Sequence, residues 1–229
     1  MLDKKEIRSL AIPAILYNIT EPLIGLADTA IIGQLENNST IAQGGVGLAA
    51  GLIATLIWGF AQMRTSLSAI ISRHVGSHQL RRINSLIPQA LLLTITTGLI
   101  LSLLLGFYYQ EIVFLFFGKT DPLTYEYSNQ YFIIRSYGIP LGLIIALFFG
   151  IFRGFQNTYW AMYISIIGGI SNILLDYLLV LGVNEIIMPM GVKGAAYASV
   201  ISQIIMTFSC IFIYLQKTPF NFQINLKVS

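Results

Sequence analysis

Six apolar segments, each long enough to cross a bilayer as an α-helix, limit what this chain can fold into. A spanning helix needs about 20 mostly apolar residues. Runs of that kind lie at about 8–34, 43–72, 84–109, 127–152, 158–181 and 191–216. Because backbone polar groups must be satisfied internally in lipid, runs of this length favour helices. We therefore expect an all-α integral membrane protein, with a bundle of six transmembrane helices over residues 1–216.

The composition agrees with a membrane protein and argues against other classes. Only 10% of the 229 residues are charged, whereas soluble domains carry about 25%. The net charge is +3 without a basic patch interleaved with aromatic residues, so no nucleic-acid partner is expected. We find no nucleotide motif and no nucleophile–base set, which predicts a protein that is not an enzyme and has no cofactor or bound metal beyond a transported ion. The single cysteine, Cys210, excludes an internal disulfide framework.

Basic residues are distributed unevenly between the two ends of the predicted bundle. One end, which includes the N-terminus, would carry nine of the Lys and Arg residues and the other only two, Lys119 and Lys193. Arg64 and Arg135 fall within predicted helices. Arg64 is expected to extend its charged end toward the cytoplasmic membrane surface, and Arg135 could do the same at the outer surface. An excess of Lys and Arg marks the cytoplasmic side. We therefore expect a multi-pass protein of the inner (plasma) membrane with both termini cytoplasmic, and a cytoplasmic segment from 217 to 229.

The first apolar segment contains an acidic residue, Asp28, in the stretch EPLIGLADTAIIGQ from Glu21 to Gln34. A charged Asp at the centre of a spanning helix is unfavourable by roughly 3 kcal/mol, so such a residue normally faces a bundle interior or a water-filled cavity. An ion or proton site is one interpretation, and an Asp that only caps or packs is the other. Glu21 and Gln34 are further candidates for a substrate site or a polar network.

The fifth segment carries a second intramembrane acid, Asp176, with Asn172 four residues earlier and on the same helix face. Asp28 lies six residues before Gln34, and Asp176 lies six residues before Gly182. At 1.5 Å per residue both acids lie roughly 9 Å inside the same end of the bundle. We expect them to share one cavity and to attract a proton or a cation, which oxygens of Asp28, Asn172 and Asp176 would hold.

Prolines and small residues give weaker signals. Pro13 and Pro22 lie inside the first segment, where each removes a backbone hydrogen bond and tends to bend a helix. A mechanical role for this bend and simple bending for packing both remain open. Small residues at 44–51 and 191–199 predict close approach of neighbouring helices.

Four motifs resemble those of one transporter family. They are PLIGLADTAIIGQL at 22–35, RGFQNT at 153–158, SNILLDYLLVLG at 171–182 and GVKGAAYAS at 191–199. In this order they resemble the multidrug and toxic compound extrusion (MATE) transporters, especially the DinF-like branch. Asn157 replaces the usual Asp of the second motif, and Ser199 replaces the usual Thr of the fourth.

The resemblance implies a secondary antiporter that exports cationic, amphipathic drugs in exchange for H⁺ or Na⁺. Asp28 would be the coupling carboxylate, Asn172, Asp176 and Ser199 would belong to the same polar network, and Pro13 would be the helix bend linked to protonation. Family members have twelve helices in two lobes. The chain would then be an amino-terminal six-helix lobe, whose partner is a carboxy-terminal lobe or a second copy.

Two other functions remain open at this stage. A flippase of related fold would carry a lipid-linked or polysaccharide precursor, but such proteins usually line the cavity with several basic residues, and only Arg64 and Arg135 are available here. The chain could also be a truncated fragment that does not itself transport.

Overall fold

Nine α-helices make up almost all of the part of the chain that the structure describes. The computed structural model describes residues 4–183 and 186–217, so the predicted segment 217–229 lies outside it except for its first residue. The helices are α1 (Lys4–Ile32), α2 (Ser39–Ala61), α3 (Met63–Gly76), α4 (Leu80–Phe107), α5 (Tyr109–Phe117), α6 (Pro122–Ser136), α7 (Ile139–Gly154), α8 (Thr158–Val180) and α9 (Val192–Lys217).

The helices form a six-span bundle when one bent pair is taken as a single crossing. Within the described residues, five helical spans are long and apolar enough to cross a membrane, one of them being α2 and α3 together. A sixth crossing is the pair α6 and α7, whose axes differ by 53°. The predicted fold class, an all-α membrane bundle equivalent to one lobe of a twelve-helix transporter, is thereby confirmed.

Two of the predicted spans are not single helices. The segment predicted at 43–72 is interrupted at Gln62, which separates α2 from α3. The segment predicted at 127–152 bends between Ser136 and Ile139. Pro140 stands in the first turn of α7, where the missing N–H and fixed φ of proline suit a helix start but not a helix interior.

The connection at 110–126 contains a helix, α5, that the sequence analysis did not predict. Tyr109 and Val113 are buried against the bundle, whereas the side chains of Phe114, Leu115 and Phe116 are 63–78% exposed. Tyr109 stacks on Phe132 of α6 at a centroid distance of 4.2 Å. A short helix with an outward apolar face at the end of a spanning helix is typical of the membrane interface.

Glycines place α2 and α9 close to their neighbours, as the small-residue stretches predict. A Cβ added at Gly45 would lie 2.7 Å from the carbonyl oxygen of Thr124 in α6, and one at Gly194 would lie 2.5 Å from that of Leu179 in α8. The packing of α1 on α8 and of α8 on α9 is extensive. These contacts bring the acidic residues of α1 and α8 toward each other.

Candidate functional site: a buried carboxyl pair

The two intramembrane acids meet in the interior of the bundle. Asp28 of α1 is 8% exposed and Asp176 of α8 is fully buried. Their side chains lie within hydrogen-bonding reach of each other. We call these two groups the carboxyl pair. The sequence predicts that the two acids lie at the same depth in the bundle. The structure adds that α1 and α8 are rotated so that the two side chains face each other, which depth alone does not determine.

The carboxyl pair has few other hydrogen-bonding partners. Oδ1 of Asp28 and both carboxyl oxygens of Asp176 are buried and receive no hydrogen bond from an N–H or hydroxyl group of the described residues. Two ionised carboxylates only accept, so the contact between them becomes a hydrogen bond only when one of them carries a proton. Buried oxygens of this kind are costly unless a proton or a cation satisfies them. The arrangement can therefore hold one exchangeable positive charge.

Asn172 adds an uncommitted amide on the same face of α8. It lies one turn before Asp176 and is 2% exposed. Neither its amide oxygen nor its amide nitrogen has a hydrogen-bond partner in the part of the chain that the structure describes. An amide can offer oxygen to a cation or N–H to a carboxylate. Asn172 therefore suits both the site with a bound cation and the site with free carboxylates.

Two residues of α6 complete the surroundings and were not selected from the sequence. Tyr131 is buried, lies within hydrogen-bonding reach of Ser199, and interacts electrostatically with both acids of the carboxyl pair. Arg135, one turn later, also acts on both acids, and its buried Nε has no acceptor. Arg135 therefore contributes to the electrostatics of the carboxyl pair, a role that the sequence analysis does not assign to it. The sequence signal that could have identified this pair is the i, i+4 spacing of Tyr131 and Arg135, which places both on one face of a helix.

Other residues selected from the sequence lie elsewhere. Gln34 is exposed in the turn after α1, with its backbone N–H bonded to the carbonyl of Ile31 at 3.0 Å, so it does not join the carboxyl pair. The side chain of Glu21 lies outside the described part of the structure. Pro13 is fully buried and Pro22 is exposed. Because α1 continues as one helix through both prolines, neither interrupts it.

Arg64 makes a contact within the bundle that the sequence analysis does not predict. Its Nη1 donates a hydrogen bond to the hydroxyl of Tyr17 in α1. The guanidinium carbon lies 5.5 Å from the centre of the Tyr17 ring, within the range of a cation–π contact. These two contacts of the partly buried Arg64 guanidinium connect α3 to α1.

Comparisons with known proteins agree with this architecture. The family model described as MatE matches residues 13–178. DNA damage-inducible protein F of Escherichia coli (strain K12) is 31% identical over 199 residues, which cover 87% of this chain and 41% of that protein. The probable multidrug resistance protein NorM of Thermotoga maritima is 28% identical over 203 residues, covering 88% of this chain and 42% of that protein.

Solved structures share the fold over nearly the whole chain. A structure described as "Crystal structure of MATE in complex with MaD5" superposes with a TM-score of 0.84 at 22% identity, covering 97% of this chain and 49% of that one. Another, described as the outward-facing conformation of a multidrug resistance MATE family transporter, has a TM-score of 0.81 and covers 93% and 45%.

The chain spans less than half the length of the curated relatives it matches, and its fold corresponds to one six-helix lobe. The family model covers most of the chain, and it includes both members of the carboxyl pair. On these grounds the chain belongs to the MatE family of membrane transporters.

Proposed function

We propose that this chain forms one lobe of a secondary antiporter that exports cationic, amphipathic compounds in exchange for H⁺ or Na⁺. The observation that carries the proposal is the carboxyl pair: three buried acidic oxygens that receive no hydrogen bond from the protein. Members of this family are transporters rather than enzymes. The other half of the substrate path would come from a carboxy-terminal lobe or from a second copy.

The coupling would work through competition for the carboxyl pair. When the pair holds a proton or Na⁺, one of its two negative charges is neutralised and α1 can remain packed on α8. When the ion leaves, two buried like charges repel each other, and the local arrangement of α1 against α8 is destabilised. In transporters of this kind, alternating access comes from rocking of lobes around a site near the middle of the membrane. We propose that α1 transmits the state of the pair to that motion.

The ligand set suits either ion. A proton needs only the two carboxyl groups, whereas Na⁺ would also draw on oxygen from Asn172 and Ser199. We propose that the excess of Lys and Arg at one end of the bundle places both termini in the cytoplasm of a cell whose inner (plasma) membrane contains the protein. The carboxyl pair would then lie nearer the outer face.

The test is the substitution Asp28→Asn, with Glu36→Gln as the matched control. Both replace a carboxylate by an amide, but Glu36 is exposed in the turn after α1. Drug export, measured by substrate-driven proton or Na⁺ movement in liposomes, should be lost in D28N and kept in E36Q, with equal membrane insertion. Unchanged export in D28N would refute the assignment of the coupling site.

The same assay separates the other functions. If the 229-residue chain alone transports, a fragment without activity is ruled out and assembly of two copies follows. If deletion of the gene impairs envelope synthesis but does not make the cells sensitive to drugs, a flippase is favoured instead. That alternative is weaker because both intramembrane arginines are already engaged, Arg64 with Tyr17 and Arg135 with the carboxyl pair.

A further inference from the structure

A second site candidate lies away from the carboxyl pair, in a cleft between α5 and α6. We call it the α5–α6 cleft. Its volume is about 410 Å³, within the range of about 300–1,000 Å³ typical of small-molecule sites. Its walls come from α5, the turn that follows it and the first turn of α6, and include Gln110, Val113, Phe114, Lys119, Thr120 and Tyr125.

One wall of the cleft presents polar groups that the protein leaves unsatisfied. The Oγ1 of Thr120 and the hydroxyl of Tyr125 are buried, and neither makes a hydrogen bond of normal geometry with the described residues, although Tyr125 lies beside the Gln110 amide. Lys119, which precedes Thr120 in the chain, has an exposed side chain and also lines the cleft. Two hydroxyls and one ammonium form a donor set that suits the oxygens of a phosphate.

Beyond Gln110, the α5 side of the cleft is apolar and continues onto an exposed apolar surface suited to lipid. Val113 and Phe114 line the cleft, and the Phe114 side chain is 63% exposed. The next two residues, Leu115 and Phe116, are 78% and 66% exposed. A ligand in the cleft would therefore have its polar part against α6 and an apolar part along α5, as a phospholipid at the membrane interface does.

The charges around the cleft are of both signs. Asp121 is already occupied, because its Oδ2 accepts hydrogen bonds from the backbone N–H groups of Leu123 and Thr124. Glu111 does not line the cleft, but it is exposed on α5 directly after the lining residue Gln110 and acts electrostatically on Tyr125. A carboxylate at the edge of the cleft and an ammonium within it match a zwitterionic headgroup better than a purely anionic one.

We propose that the α5–α6 cleft binds a phospholipid with a phosphoethanolamine headgroup. Its phosphate accepts hydrogen bonds from Lys119, Thr120 and Tyr125, and its primary ammonium pairs with Glu111. The acyl chains follow the apolar face of α5 formed by Phe114–Phe117. The proposal does not depend on which compound the transporter exports, because the cleft shares no residue with the carboxyl pair.

The test compares lipids on the purified full chain in detergent, by thermal unfolding and native mass spectrometry. Phosphatidylethanolamine should raise the unfolding temperature and bind more tightly than phosphatidylcholine or phosphatidylglycerol of the same acyl chains. Lys119→Gln should weaken this binding about tenfold. Lys193→Gln is the matched control, since Lys193 is also an exposed lysine but lies in the first turn of α9. Glu111→Gln should remove the preference over phosphatidylglycerol.

Several outcomes would overturn the proposal. Equal binding of phosphatidylcholine excludes recognition of a primary ammonium, and tighter binding of phosphatidylglycerol excludes the zwitterionic match. Soluble phosphoethanolamine that binds as tightly as the lipid would show that the headgroup need not come from a membrane. An equal loss of lipid affinity in K119Q and K193Q would show that the lipid binds at another site.

Discussion

The contact between α2 and α6 gives the sharpest stability prediction, through Gly45. An Ala at this position would place its Cβ 2.7 Å from the Thr124 carbonyl oxygen, 2.8 Å from the Tyr127 Cβ and 2.9 Å from the Ser128 backbone nitrogen. None of these atoms is the far end of a flexible side chain. Ordinary contact begins at 3.4 Å, so the two helices would have to separate locally by about 0.7 Å, the difference between the two distances.

The magnitude follows from two opposing effects. Overpacking of this kind typically costs about 1–3 kcal/mol, while Ala in place of Gly within a helix gains about 0.8–1 kcal/mol. Gly45→Ala should therefore lower the free energy of unfolding by up to about 2 kcal/mol. For a chain of this size each kcal/mol moves the unfolding midpoint by roughly 2–4 °C, so a decrease of up to about 8 °C is expected.

Gly47→Ala provides the matched control. Gly47 is in the same helix, two residues on, and an added Cβ there meets nothing within 4 Å. It should keep or raise the unfolding midpoint. Both variants are measured by intrinsic fluorescence during heating in detergent at one scan rate, because unfolding of membrane proteins is often irreversible. A midpoint for G45A equal to or above that of G47A would refute the close packing of α2 on α6.

Two further predictions concern the intramembrane arginines. Arg135→Gln removes the positive group that acts on the carboxyl pair, so the pair should bind a cation more tightly. The H⁺ or Na⁺ concentration that gives half-maximal export should therefore fall severalfold. An unchanged concentration would contradict this prediction. Tyr17→Phe removes the acceptor for Arg64 and should destabilise the protein by about 1–3 kcal/mol, seen as a lower unfolding midpoint, whereas Tyr177→Phe, at an exposed position, should not.

The failures of sequence reasoning share one cause. A hydropathy window finds that 43–72 and 127–152 are apolar, but it does not register the interruption at Gln62 or the 53° bend between α6 and α7. Likewise the sequence analysis assigns α5 to a connection, because nine residues are too few to form a span. Breaks and short interfacial helices depend on local backbone geometry and on neighbours, not on the mean hydropathy of a segment.

The sequence by itself determined the class of protein and the burial of its acids. Long apolar runs require spanning helices, and Asp28 and Asp176 within them require an interior position, because both inferences rest on the free energy of placing residues in lipid. Only the tertiary structure decided that the two acids face each other and that Arg135 acts on both. Such contacts depend on the rotation of each helix about its axis and on which helices are neighbours, and those are properties of the whole packed bundle.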